Sequence, residues 1–287
     1  MQKRDHSSQK WSLRVKRQSG VTDIVSVFIY WVLWTYIILM ANLTSVVLVL
    51  LLSTQLLASN VIDIAGPLTA SSFACLASAG YSCVIVKGNT LENSNSVMHP
   101  YVIQTLINVK TGGLPADIYM DLCRGVSSLT QVTDLISSIT ATNYKTIWVK
   151  VQTNNVAGCS WAGYSQADNC AFVTQAINAI IGHNKKSGVY STYNAWQNLL
   201  GTNCHSIGLL NPAPKLWYGD YSSTGVLDQT QTFSDYQPFG GWTWPYIKKV
   251  SGPVHVSLCG YTGWHALVNQ GWKQWYALSI DQIHFFI

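Results

Sequence analysis

The chain has 287 residues, enough for one large core or for a β/α barrel of about 250 residues. Charged residues are only 10% of it, against roughly 25% in an average soluble protein. Six of its 17 basic residues and two of its 12 acids precede residue 60, which leaves a nearly neutral remainder of 11 bases and 10 acids. With no basic cluster beyond Lys185 with Lys186 and Lys248 with Lys249, a nucleic-acid role has no support.

The first feature in chain order is an uncharged block at residues 24–58, preceded by Lys3, Arg4, Lys10, Arg14, Lys16 and Arg17. As one straight helix it would measure about 50 Å, longer than a hydrocarbon core of about 30 Å. Either Met1 begins a membrane-anchored protein with a cytoplasmic basic flank, or Met40 begins a signal peptide with its apolar core at residues 46–52 and a cut near Ala58. The second is preferred because the run is too long for one span. Both place residues 60–287 outside the cytosol as one domain behind a 1–59 leader, secreted in one case and anchored through residues 24–58 in the other.

From residue 60, β-type and helical patterns alternate. NVIDIAG (60–66) reads as a strand, 70–80 as a helix, 82–88 as a strand, 96–112 as the site of a long helix and ADIYMDLC (116–123) as the third strand. A helix from Ser128 leads to TIWVKVQT (146–153), the fourth strand, whose alternate positions place Trp148, Lys150 and Gln152 on one face. A helix near 170–184, the strand GVYST, a short helix near 195–201 and the strand KLWYGDY (215–221) follow. This rhythm predicts parallel strands with right-handed crossovers, and an α/β, TIM-like barrel in preference to an open sheet.

All seven cysteines lie in the exported part, as an oxidising compartment favours. Their odd number leaves at least one unpaired. Cys159 and Cys170 bracket a Gly/Ser/Asn-rich loop and are the best single guess for a bridge. No CxxC or HExxH run argues for a metal, Cys204 beside His205 reads as structural, and no GxGxxG or GxxxxGK supports a nucleotide, so no cofactor is expected.

A β/α barrel works at the carboxyl ends of its strands. The polar residues expected there are Asp63, Asp121, Lys150, Gln152 and Asp220. The many tryptophans suit either core packing or a sugar cleft.

Several stretches together resemble the Chalaropsis-type lysozymes, glycoside hydrolase family 25, in their Entamoeba-like nematode branch. They are VIDIAGPLTASSFACLASAGY, YKTIWVKVQ, GVYSTYNAWQNLLG, PKLWYGDY and FSDYQPFGGWTWPYIKK with Cys259-Gly260, in order from residue 61 to about 260. The resemblance implies a secreted muramidase of innate immunity or digestion, directed at bacterial peptidoglycan, with Trp148, Tyr190, Trp217 and Tyr218 as rings that meet sugar. It implies an Asp on the first strand, matched by Asp63, and an Asp-x-Glu ending the fourth, where this chain has Lys150 and Gln152. Lys150 is expected to pair with Asp63 across the mouth.

Glycoside hydrolysis needs an acid to protonate the leaving oxygen and a carboxylate facing the developing positive charge. Gln152 has no such proton, and losing a general acid typically costs about 10²–10⁴ in rate. The lone glutamate, Glu92, sits in a polar stretch. The leading expectation is therefore a lysozyme-like pseudoenzyme. The alternatives are an active muramidase using Asp63 with a relocated acid at Asp121 or Asp220, and a diverged member with no glycan function. The tail after Gly260 fits the family ending either directly or with an insertion that would bring in Asp281.

Overall fold

The computed structural model describes residues 31–40, 60–139, 144–219, 233–256 and 259–268. Two compact units divide the chain, Met1–Leu56 and Leu57–Ile287. In the first, residues 31–40 are helical, and the rest of the expected leader lies outside the described residues. No helix among the described residues is long and apolar enough to cross a membrane.

The second unit is a closed eight-stranded barrel. Its wall strands are β1 (Asn60–Ile64), β2 (Tyr81–Lys87), β5 (Ala116–Asp121), β6 (Thr146–Val151), β7 (Lys186–Ser191), β8 (Lys215–Gly219), β9 (Ile247–Val256) and β10 (Tyr261–Val268). The short strands β3 (Asn89–Glu92) and β4 (Asn95–Met98) form a separate hairpin. Parallel pairing runs from β1 through β2, β5, β6, β7 and β8 to β9, while β10 lies antiparallel to both β9 and β1.

The β/α rhythm therefore holds for most of the wall and gives way at its end. A β9–β10 hairpin completes the circle, so a strict TIM-like alternation is corrected there. A hairpin reverses the chain in a few residues, whereas a parallel neighbour needs a long crossover. The expected helix at residues 96–112 is also corrected. Its first residues form β4, and only Val102–Thr111 is helical, because Pro100 disfavours a helical conformation at His99. Glu92 accordingly ends β3 at the exposed tip of the hairpin.

Five helices among the described residues flank the wall: α1 (Ala70–Ser78), α2 (Val102–Thr111), α3 (Ser128–Ser138), α4 (Gln166–Gly182) and α5 (Tyr193–Leu199). Side-chain oxygens of Thr69, Ser127, Ser165 and Thr192 cap α1, α3, α4 and α5, accepting backbone N–H bonds that the first helical turn cannot satisfy itself.

Strand alternation sorts the core into two parts. Outward residues such as Ile62, Val84, Ile118, Val149 and Leu216 pack with helix residues such as Phe73, Leu106, Val132 and Val173. Inward residues Val61, Cys83, Ile85, Trp148, Tyr190, Trp217 and Ile247 fill the barrel. Trp148 needs the glycine opposite it, since a Cβ on Gly188 would collide with its indole ring.

Three disulfides join Cys75–Cys259, Cys123–Cys159 and Cys170–Cys204, and buried Cys83 stays a thiol. The expected Cys159 to Cys170 bridge is thus wrong. Cys159 stands beside the end of β5, where Cys123 lies, while Cys170 faces the loop after α5 from the first turns of α4. Proximity along the chain was a poor guide because the barrel brings separate strand ends together.

Candidate functional site: a mouth of paired charges

Asp63 is the penultimate residue of β1, on its inward face two residues after Val61. Its Oδ2 accepts a hydrogen bond of 2.8 Å from Lys249 Nζ of β9. The two residues are 6% and 8% exposed, so this ion pair sits within the wall. Burial pushes the Asp63 carboxyl above its ordinary range, and the charge and hydrogen bond of Lys249 only partly offset that.

Lys150 and Asp121 are direct neighbours across the β5–β6 ladder, and their Nζ and Oδ1 lie 3.1 Å apart. The buried Asn89 side chain fixes Asp121 from behind, accepting from its backbone N–H and donating to its carbonyl. Gln152, just beyond β6, donates through Nε2 to the Tyr190 hydroxyl at 3.3 Å.

Asp63, Asp121, Lys150 and Gln152 therefore share the carboxyl end of the barrel, on the strands named from sequence. The expected pairing of Lys150 with Asp63 is corrected: Lys249 bonds Asp63 and Lys150 bridges to Asp121. Asp220 and Asp281 lie outside the described residues.

The four expected sugar-facing rings are buried. Trp148 is wholly enclosed, with its indole N–H on Asp117 Oδ2 at 3.0 Å, and Tyr190, Trp217 and Tyr218 are no more than 3% exposed. The Tyr190 and Trp217 rings stand 5.4 and 5.5 Å from Lys249 Nζ, so both contribute to its immediate surroundings. Tyr218 packs with the outer core, away from the barrel interior.

Three residues escaped notice. Lys249 was visible only as half of a basic pair, although strand alternation sends Lys248 and Lys249 to opposite faces. Asp235 accepts from Lys248 Nζ and the Tyr218 hydroxyl on that outer face, both at 2.8 Å. Asp117 is fully buried in the barrel, where desolvation raises its pKa against the hydrogen bonds from Trp148 and the Thr146 backbone. An acid on the same face as Tyr119 and Asp121, four positions before Asp121 on the third strand, was the available signal for it.

Among the described residues no cluster of three or more His, Cys, Asp or Glu could hold a metal ion. Among the described residues, the mouth holds two carboxylates, each bonded to a lysine, beside the Gln152 amide. Such a set can accept and donate hydrogen bonds to a neutral ligand. Each of these carboxylates is thus engaged by a lysine.

The fold and its mouth define a β/α-type barrel with polar residues at the carboxyl ends of its first and fourth wall strands, and the comparisons place that barrel among the lysozyme-like proteins. A family model described as lysozyme-like protein 1 matches residues 54–250. Lysozyme-like protein 5 of Caenorhabditis elegans is 30% identical over 211 residues, covering 70% of this chain and 89% of that protein. A probable family 25 lysozyme 2 of Dictyostelium discoideum is 27% identical over 193 residues, covering 66% and 81%. The structure of a family 25 lysozyme from Aspergillus fumigatus superposes with a TM-score of 0.59 at 15% identity, over 77% of this chain and 99% of that one, which shows the shared fold. The chain belongs to the lysozyme-like family of glycoside hydrolase family 25.

Proposed function

We propose that this protein is an exported, lysozyme-like glycan-binding barrel directed at bacterial peptidoglycan, in defence or digestion, whose hydrolytic activity is lost or strongly reduced. The observation that carries this reading is the charge pairing at the mouth. Lys249 holds Asp63 at 2.8 Å and Lys150 holds Asp121 at 3.1 Å, and the family resemblance puts Gln152 where its members carry the proton donor. A lysine ammonium beside the reacting sugar opposes the positive charge that develops in glycoside cleavage. Three disulfides support export, with residues 1–59 as its signal or, in the alternative, as an anchor.

A second reading has one observation in its favour. Burial raises the Asp63 carboxyl, the direction a general acid needs near neutral pH. On that reading Asp63 works with a relocated partner at Asp121 or Asp220, and Asp63→Asn abolishes turnover.

The test measures sedimentation with peptidoglycan and loss of wall turbidity for the native chain, for Lys150→Asp with Gln152→Glu, and for that pair with Lys249→Gln. The native chain is expected to bind walls without clearing them. Restoring the two acids should give measurable clearing, and also releasing Asp63 should raise it further, toward the roughly 10²-fold or larger effect of a working general acid. Clearing by the native chain, abolished by Asp63→Asn, would establish the second reading instead.

A further inference from the structure

The amino-terminal end of the barrel, opposite the mouth, carries a concentration of charge that the proposed function does not use. Lys145 directly precedes β6, Lys185 precedes β7, and Lys186 and Lys215 open β7 and β8. These are consecutive parallel strands of the wall, with Thr146 registered on Lys186 and Gly188 on Lys215. Alternation puts Lys186 and Lys215 on the inward face, in line with Tyr190 and Trp217 of the same strands. Lys145 and Lys186 are exposed, and Lys185 and Lys215 are half-buried.

Three of these ammonium groups repel one another. Burial and the charges of Lys186 and Lys145 lower Lys215 to about 8, so it still carries its proton at neutral pH. Lys145 is lowered by burial and by Lys186. Aromatic faces steady two members of the group: Lys215 Nζ lies 3.7 Å from the Tyr246 ring centroid and Lys185 Nζ 4.4 Å from that of Tyr144.

The charge there does not cancel. Among the described residues, the carboxylate that acts on these lysines is Asp117, whose two oxygens accept the Thr146 backbone N–H and the Trp148 indole N–H. Cys83 stays a neutral thiol, pushed well up by burial. Helices α3 and α4 lead into β6 and β7, so their carboxyl ends lie at this end of the barrel and contribute about half a negative charge each. Four lysines set against Asp117 and those two helix ends leave roughly two positive charges in excess. Exposed Lys145 and Lys186 add to the repulsion without filling the core, and it is their charge that the face presents to solvent.

We propose that this amino-terminal face is a binding surface for a phosphodiester polymer of the bacterial wall, with Lys145, Lys186 and Lys215 meeting successive phosphates. A lysine ammonium is a point charge that meets phosphate without a fixed angle. Groups spread over three strand starts, about 10 Å across, suit a row of singly charged phosphates better than one compact anion. A polymer held at this end leaves the opposite mouth open. The choice of a wall polymer rests on the function proposed above, whereas the excess of charge does not.

Calorimetric titration of the full chain with poly(glycerol phosphate) tests it. The proteins are the native chain, Lys145→Gln with Lys186→Gln, and Lys87→Gln with Lys150→Gln, a pair that removes the same charge at the carboxyl ends of β2 and β6. The native chain is expected to bind, and to bind less as salt rises. Removing Lys145 and Lys186 should weaken binding by about fivefold or more, with the melting temperature held or raised because repulsion falls. The pair at the mouth should change affinity by less than about twofold, since it lies beyond the reach of screened charge. Absence of binding, or equal weakening by both pairs, overturns the proposal. So does inorganic phosphate that displaces the polymer at matched phosphate concentration, which marks a site for a single anion, or an oligodeoxynucleotide that binds more tightly than the polymer, which marks a nucleic-acid surface. The titrant contains no peptidoglycan, so this surface can fail while the barrel still binds walls, and the reverse.

Discussion

Lys249 is the residue on which the mouth's electrostatics turn. Removing one partner of a buried ion pair strands the other charge, at a typical cost of about 3–5 kcal/mol. Lys249→Met should therefore lower stability at neutral pH by about that amount, since the pair is nearly enclosed. The sign of its pH dependence follows from Asp63. Its folded pKa already lies above 3.8, and losing Lys249 removes two influences that lower it. The folded variant then binds more protons than the unfolded chain above that ordinary value, so its stability should rise as pH falls from neutral through the raised pKa. Chemical denaturation of native and Lys249→Met protein between pH 4.5 and 7.5 measures this, and a deficit that grows on acidification would contradict the pairing. Sequence made Asp63, Lys150 and Gln152 legible because each sits on, or directly continues, a short strand with clear alternation. It hid Lys249, since two adjacent lysines look like a solvated pair until both faces of their strand are known to be covered.

At the scale of elements, strand interiors were readable from their periodicity, but helix starts only in part: the helix expected near 170–184 begins at Gln166, behind a Ser165 cap. Ser165 accepts from the Asp168 N–H while its hydroxyl contacts the Asp168 carboxylate at 2.7 Å, so the cap and its acidic partner stabilise the start of α4. Ser165→Ala should cost about 1 kcal/mol by denaturant titration. Gly188→Ala is a sharper probe. A methyl there meets the Trp148 ring in the middle of the barrel, where overpacking typically costs about 1–3 kcal/mol. Trp148 fluorescence should shift together with the loss of stability, because the indole must move. The β3–β4 hairpin was not legible, as its polar residues carry no apolar alternation. Nor was the antiparallel last strand, because pairing direction is set by the length of the connection and by which edge remains open.

For the whole molecule, the widest covalent tie is Cys75–Cys259, which links α1 to the chain just ahead of β10 across 184 residues. On the loop-entropy account a loop of that size contributes about 5 kcal/mol, the upper end of what disulfides give. Replacing both cysteines by Ala should lower the melting temperature more than the corresponding change at Cys123–Cys159, whose 36-residue separation predicts about 4 kcal/mol. Equal losses would indicate that strain or residual structure, and not loop length, governs the two bridges. No feature of spacing disclosed this connectivity: it depends on the last hairpin returning to the first strand, a long-range fact that local patterns do not encode.

That return has a consequence for the order in which the protein can be made. One edge of β1 pairs with β2, which follows within about 20 residues, but its other edge belongs to β10. Roughly 200 residues must be synthesised between them, about 10–40 s at ordinary elongation rates. Throughout that interval the strand carrying Asp63 has a bare row of backbone donors and acceptors, the kind of edge on which chains aggregate. Cys75 waits equally long for Cys259, with other thiols emerging first. Maturation of this barrel is therefore expected to depend on whatever guards a nascent edge and corrects early disulfides until the final hairpin arrives.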